Sequence, residues 1–203
     1  ISEKLLNSRP TKTHVIPDHI EGWADAVWML LNSYCIECYY SISYDKEIEF
    51  DYSLIRPKGS KIKSGGLAPG PKPLMVALEK IRKRLKSMVL RDRCFRPIDC
   101  LDIAMYLSEA VLAGGVRRSA SIALFDHDDD LMMTAKQGEW WKFNGQRAYA
   151  NLSAAIKLDG NEDRVVVDEI INSAKDWGEP GVAFFKSHEH GTNPCAEIGL
   201  MPT

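Results

Sequence analysis

NLSAAIKLDGNEDRVVVDEIINSAKDWGEPGVAFF, residues 151–185, is the stretch that decides the fold class. NLSAAIKLD reads as a strand and EDRVVVDEIINSAKDWG as a helix closed by Gly178. GVAFF then reads as a buried strand. Two strands joined through a helix imply a crossover, which parallel neighbours require. Just upstream, RSASIALFD (118–126) has strand character and DDDLMMTAKQ (128–137) predicts a short helix. The alternation predicts an α/β fold with largely parallel strands.

The first half of the chain reads less evenly. In HVIPDHIEGWADAVWMLLNSY (14–34), Ile20, Trp23, Ala24, Val27, Trp28 and Leu31 recur at helical spacing, predicting a helix with those residues inward and Asp18 as its N-cap. EIEFDYSLI (47–55) alternates apolar and polar residues as a strand does. RPKGSKIKSGGLAPGPKP (56–73) is too punctuated by glycine and proline for regular structure and reads as a long loop. A basic helix follows at 73–90. Another begins at Pro97, with Ile98, Leu101, Met105 and Leu112 inward, and ends at Gly114-Gly115. No internal repeat, low-complexity tract or domain linker stands out.

The 203 residues suffice for one domain with a core, or for one large piece of a bigger domain. A hydrophobic fraction of 45% is ordinary for a globular protein, and a net charge of −2 creates no general pull toward nucleic acid or membrane surfaces. The basic run from Lys80 to Arg96 lacks interleaved aromatics and reads as a solvated helix face, so no nucleic-acid partner is expected. No apolar run approaches a membrane span, so cytoplasmic localisation and no membrane association are expected. Five irregularly spaced cysteines fit reduced thiols better than a disulfide framework. With Ile1 at one end and Thr203 at the other, the chain reads as a piece of a larger protein.

The chemistry concentrates in HGTNPCAEIGL, residues 190–200. In an extended backbone Asn193, Cys195 and Glu197 share one face. A carboxylate beside a thiol raises the thiol pKa, which disfavours a nucleophilic thiolate. A thiol that loses a hydrogen atom instead of a proton has no such handicap, so the pattern points to radical chemistry. The competing readings are a small buried thiol in a turn, or a cysteine hydrolase using His188 or His190. The histidines match no zinc spacing, and no metal site is expected.

Here the sequence resembles the catalytic subunit of ribonucleotide reductases, the adenosylcobalamin-dependent class in particular. TNPCAEIGL is similar to the family's finger-loop motif, and GEPGVAFF (178–185) to the strand entering it. AGGVRRSASIALFD (113–126) resembles the loop linking allosteric and active sites, IRPKGSKIKSGGLAPGP (55–71) an effector-side loop, and PDHIEGWADAV (17–27) the start of the effector-site helix. The five occur in family order. The resemblance implies that residues 1–203 form part of a ten-stranded α/β barrel with a central finger loop. Effector-site helix and loops would lie at about 15–125 and the finger loop at about 188–200. It implies a ribonucleotide substrate, adenosylcobalamin as cofactor, a deoxynucleotide effector and a thioredoxin-type reductant. In that scheme Cys195 becomes the thiyl radical that takes the substrate's 3′ hydrogen, Glu197 deprotonates the 3′ hydroxyl, and Asn193 orients the ribose.

Asp18 would contact the effector's ribose and Arg56 its phosphates, while Gly114, Gly115, Arg117 and Arg118 would form a specificity loop hinged on the two glycines. The family's reducing cysteines lie on strands outside this stretch. Cys35 and Cys38 in CIEC stand at the end of a predicted helix without a second pair or thioredoxin-like context, and they, with Cys94 and Cys100, are expected to pack in the core. The alternative function is a nucleotide-binding or assembly fragment, inactive without the rest of the barrel.

Overall fold

The computed structural model describes residues 6–35, 43–62, 66–112, 120–158, 164–187 and 189–201. They divide into two compact units: residues 1–95 with 109–118, and residues 96–108 with 119–203.

In the first unit, β1 (Thr11–Val15) pairs in parallel with β2 (Glu47–Asp51), and α1 (Ile20–Asn32) lies between them in sequence. The alternate β-branched residues Thr11, Thr13 and Val15 are the local signal for β1, a strand with no counterpart among the elements expected from the sequence. Helix α2 (Lys72–Leu90) buries Leu74, Leu78, Ile81, Leu85 and Met88, an i, i+4, i+7 stripe. Its basic residues do more than face solvent. Arg82 donates to Glu47 at 2.6 Å and to the Ile48 carbonyl at 2.6 Å, Arg9 donates to Glu47 at 2.7 Å, and Lys86 stands 3.5 Å away. Burial pushes the Glu47 carboxyl up, but Arg82, Arg9 and Lys86 outweigh it and hold it below the usual glutamate value.

Helix α1 departs from the sequence reading in two respects. Its N-cap is His19, whose Nδ1 accepts the Gly22 N–H at 3.0 Å; the Asp18 carboxylate instead receives Arg56. Its buried stripe is Gly22, Ala26, Met29 and Leu30, whereas Ile20 and Trp28 are 71% and 53% exposed. At the start of this stripe Gly22 lies so close to Pro17 that a Cβ there would sit 2.7 Å from the Pro17 carbonyl oxygen.

Residues 97–108 of helix α3 (Pro97–Leu112) open the second unit, in which β3 (Ser121–Asp126), β4 (Ala150–Lys157) and β5 (Gly181–Phe185) form a parallel sheet in that order. Short helices α4 (Asp130–Met133) and α5 (Trp141–Asn144) lie between β3 and β4, and α6 (Arg164–Ser173) between β4 and β5. This is the parallel α/β pattern read from residues 151–185. The chain past α6 turns through Gly178, whose φ of 73° suits glycine. Ile98, Leu101 and Met105 of α3 join Phe125, Met132, Leu152, Ala154, Ile156 and Ile170 in one core, and Leu112 is only half-buried. A fully buried Leu or Ile of this kind stabilises by roughly 1.5–3 kcal/mol.

A buried ionic group supports the start of β4. Arg147 grips both carboxylate oxygens of Asp102, at 2.8 and 2.9 Å, and donates to the Ala135 carbonyl, while Gln146 donates to Asp102 at 2.8 Å. Lys136 donates to the Ala150 carbonyl at 2.6 Å and pairs with Glu179. The remaining strands, β6 (Gly191–Thr192) and β7 (Gly199–Leu200), make a separate antiparallel hairpin.

Candidate active site and nucleotide groove

The hairpin β6–β7 presents the motif. Its loop contains Asn193, Pro194, Cys195, Ala196 and Glu197, and the backbone there is turned, not extended. The Ala196 N–H donates to the Asn193 carbonyl at 2.8 Å, closing a four-residue turn with proline second, an order that tight turns favour. Asn193 Oδ1 accepts the Ile198 N–H at 2.9 Å and the Asn193 N–H meets the Ile198 carbonyl at 3.1 Å. Thr192 Oγ1 donates to the same carbonyl at 2.9 Å. The expected extended alternation of Asn193, Cys195 and Glu197 therefore does not hold, because Asn193 reverses the chain with both its backbone and its side chain. The three residues are gathered on one loop instead of one strand face.

Cys195 and Glu197 are exposed and Asn193 is half-buried. Ala196, between the thiol and the carboxylate, has a φ of 63°, a left-handed conformation that costs a non-glycine residue roughly 1–2 kcal/mol. The hairpin tip is tied to the sheet by Asn151 of β4, whose Nδ2 donates to the Pro194 carbonyl at 2.7 Å. Strand alternation puts Asn151 on the face opposite Leu152, Ala154 and Ile156 of the core. Farther along the sheet, a cavity of about 190 Å³ at the carboxyl ends of β3, β4 and β5 is lined by Asp126, Lys157, Ser187 and His190 among others. Open parallel sheets commonly bind ligands at that end. Neither Asn151 nor this cavity is marked by any local sequence motif.

The first unit carries a second candidate region. Asp18 and Arg56, distant in sequence, form an ion pair through Arg56 Nε and Asp18 Oδ2, and both line a groove of about 650 Å³. Ile20 and Trp23, part of the apolar series that α1 does not bury, line it too, with Ile55 and Pro69. Gly70 closes the loop at a φ of 74°, and a Cβ there would meet the Lys58 backbone nitrogen at 2.8 Å. Among the described residues the groove thus offers the Arg56 cation, the Asp18 carboxylate and apolar walls, a combination suited to a nucleotide's phosphates, ribose and base.

The other predicted residues fare differently. Gly114, Gly115, Arg117 and Arg118 lie outside the described residues, as do Cys38 and His188. Cys35 is half-buried, but Cys94 and Cys100 are exposed, contrary to the expected core packing. Cys94 falls in the irregular segment between α2 and α3, and Cys100 is exposed on α3 whereas Ile98, Leu101 and Met105 are buried. Among the described residues no group of three or more His, Cys, Asp or Glu side chains could hold a metal, and no helix is long and apolar enough to cross a membrane.

Comparison with known proteins agrees with the motif reading. The family model described as the insertion domain of B12-dependent ribonucleotide reductase matches residues 2–85, within the first unit. Over 91% of its length the chain is 31% identical to the adenosylcobalamin-dependent ribonucleoside-triphosphate reductase of Levilactobacillus brevis and 32% identical to that of Lactobacillus gasseri, covering 26% of each. Over 97% of its length it is 30% identical to the Lactobacillus leichmannii protein of the same name, of which it covers 28%. The chain spans about a quarter of the length of the curated relatives it matches, and its likeness to these reductases extends over nearly all of its own length.

Proposed function

We propose that this chain is part of the catalytic barrel of an adenosylcobalamin-dependent ribonucleotide reductase, with its finger loop at residues 190–200. The observation that carries this reading is the presentation of Asn193, Cys195 and Glu197 together on an exposed turn, in a chain whose relatives over nearly its whole length are named as such reductases. The parallel sheet β3–β4–β5 is the portion of barrel wall that this chain contributes.

Adenosylcobalamin, when bound, supplies the one-electron oxidising power that removes a hydrogen atom from a thiol. The exposed Sγ of Cys195 is an accessible donor for that step, and no residue of this chain is assigned to holding the corrinoid. The resulting thiyl group takes the 3′ hydrogen of the ribonucleotide. Glu197 accepts the proton of the 3′ hydroxyl as the 2′ hydroxyl, protonated by one thiol of a dithiol, leaves as water. The dithiol gives its second hydrogen to C2′ and its remaining electron to the sugar as it closes to a disulfide, Glu197 returns its proton to the 3′ oxygen, and the Cys195 thiol returns the hydrogen to C3′. Asn193 Oδ1 is committed to Ile198, so the amide nitrogen is the group available to the ribose. In the first unit Arg56 binds effector phosphates, Asp18 the effector's ribose and Trp23 its base. Gly114, Gly115, Arg117 and Arg118 form the loop that communicates effector identity to the active site. A thioredoxin-type protein regenerates the dithiol.

The test is ribonucleotide reduction by the full-length protein with and without adenosylcobalamin, beside Cys195→Ser. Turnover should require the cofactor and vanish in the variant, whose hydroxyl holds its hydrogen too tightly, while deoxynucleotide binding persists. Substantial residual turnover in Cys195→Ser would remove Cys195 from the catalytic role.

A further inference from the structure

A hydrogen-atom transfer between a thiol and a sugar carbon demands close placement of the sulfur. Among the described residues, however, the hydrogen bonds of residues 191–200 run within the hairpin itself, with one exception. The exception is Asn151, whose Nδ2 donates at 2.7 Å to the carbonyl of Pro194, the residue before Cys195. The bond fixes the peptide unit that leads into the cysteine.

Asn151 is well founded as a post. It sits on β4, the central strand of the parallel sheet, in register with Ile122 of β3. The carbonyl of its neighbour Ala150 is held by Lys136, a buried cation itself paired with Glu179. On that face Ile122 and Leu124 of β3 flank Asn151 and Ser153 of β4. Two residues along, Ser153 pairs with Gly181, where an added Cβ would stand 3.0 Å from the Ser153 hydroxyl. A slender hairpin is thus tied at its tip to the firmest strand of the unit.

We infer that Asn151 is a positioning residue for Cys195, acting through the Pro194 carbonyl and touching no reacting atom. The consequence for turnover rests on the reductase reading; the tether itself does not. In the full-length protein, Asn151→Asp keeps the size but sets a carboxylate against the carbonyl, Asn151→Ala removes the group, and Asn151→Gln retains a donor. Alkylation of Cys195 by iodoacetamide, followed on its own peptide, is compared with alkylation of Cys94 and Cys100, which are also exposed and serve as internal references.

In Asn151→Asp and Asn151→Ala, labelling of Cys195 should change severalfold relative to those references. Turnover should fall about 10- to 100-fold at nearly unchanged KM and melting temperature, because misplacing a reacting group by about 1 Å costs on that order. Asn151→Gln should recover part of the loss. Wild-type turnover in both disruptive variants would overturn the positioning role, even if labelling changed. Unchanged labelling would overturn the tether. A wild-type protein that reduces no ribonucleotide would instead sink the proposed function, and the labelling comparison would still decide whether Asn151 holds the turn.

Discussion

The Asp18–Arg56 groove and the Cys195 hairpin both bring chemically able side chains to the surface, and they are built in opposite ways. In the groove the two charged groups satisfy each other, and the strands of that unit are braced by Glu47 with its ring of Arg9, Arg82 and Lys86. A ligand that uses Arg56 must compete with a carboxylate already in place. In the hairpin the thiol and the carboxylate are exposed, the local hydrogen bonds are internal, and an alanine is held in a left-handed conformation between them. The contrast suits the two proposed roles. A binding groove discriminates by exchanging partners, whereas a radical thiol needs free access and accurate placement.

The sharpest way to break this comparison is at Glu197. Glu197→Gln keeps the size and one oxygen acceptor but cannot take a proton, so reduction should fall by ~10²–10⁴. Substrate affinity should change far less, because the ribose contact from Asn193 survives. Single-turnover product formation compared with cobalamin homolysis separates the steps: homolysis and 3′-hydrogen exchange should continue while product stalls. Reduction near the normal rate would make the carboxylate structural, leaving the hairpin with a single reactive group.

A smaller effect is expected in the groove. Arg56→Ala should weaken deoxynucleotide triphosphate binding by about 10-fold, near the lower end for a hydrogen bond to a charged group, and flatten its dependence on salt. The fold should lose at most ~1 kcal/mol, since the pair is partly solvated. Titration calorimetry at two ionic strengths reads both quantities, and unchanged affinity would remove Arg56 from effector binding.

The smallest effect concerns the turn itself. At Ala196 a glycine relieves the left-handed backbone but gains freedom in the unfolded chain, so Ala196→Gly should shift stability by less than ~1 kcal/mol. Ala196→Val, whose branched side chain tolerates positive φ poorly, should cost ~1–2 kcal/mol. Thermal melts of the two variants check the pair; equal melting temperatures would show that the turn relaxes away from its positive φ.

Much of the second unit was legible in residues 118–185 because helix and strand periodicities are local, and a helix between two strands leaves parallel pairing as the economical arrangement. The motif residues were legible as a set for a similar reason: their identities and spacing are written consecutively. Their geometry was not. An extended backbone through 193–197 is the expectation from the alternation alone, whereas Asn193 followed by Pro194 favours the turn that the chain adopts. The buried face of α1 was not legible because a helix with apolar residues on several sides does not declare which one it buries; packing selects Gly22, Ala26, Met29 and Leu30. Cys94 and Cys100 were placed inside on the general habit of cysteine, although Cys100 is out of phase with the core stripe of its own helix.

Periodicity and spacing within the chain therefore settle the α/β alternation, the positions of α2 and α3 and the gathering of Asn193, Cys195 and Glu197 within five residues. The pairing of Asp18 with Arg56, the ring of cations around Glu47, the Asp102–Arg147 support and the hold of Asn151 on Pro194 arise only in three dimensions. They join residues separated by 38, 38, 35, 45 and 43 positions, the second and third figures being those of Arg9 and Arg82 from Glu47. Each is a side-chain interaction of fixed direction and a few ångströms' reach, and no pattern in the linear sequence encodes which partners will meet until packing brings the strands and helices together.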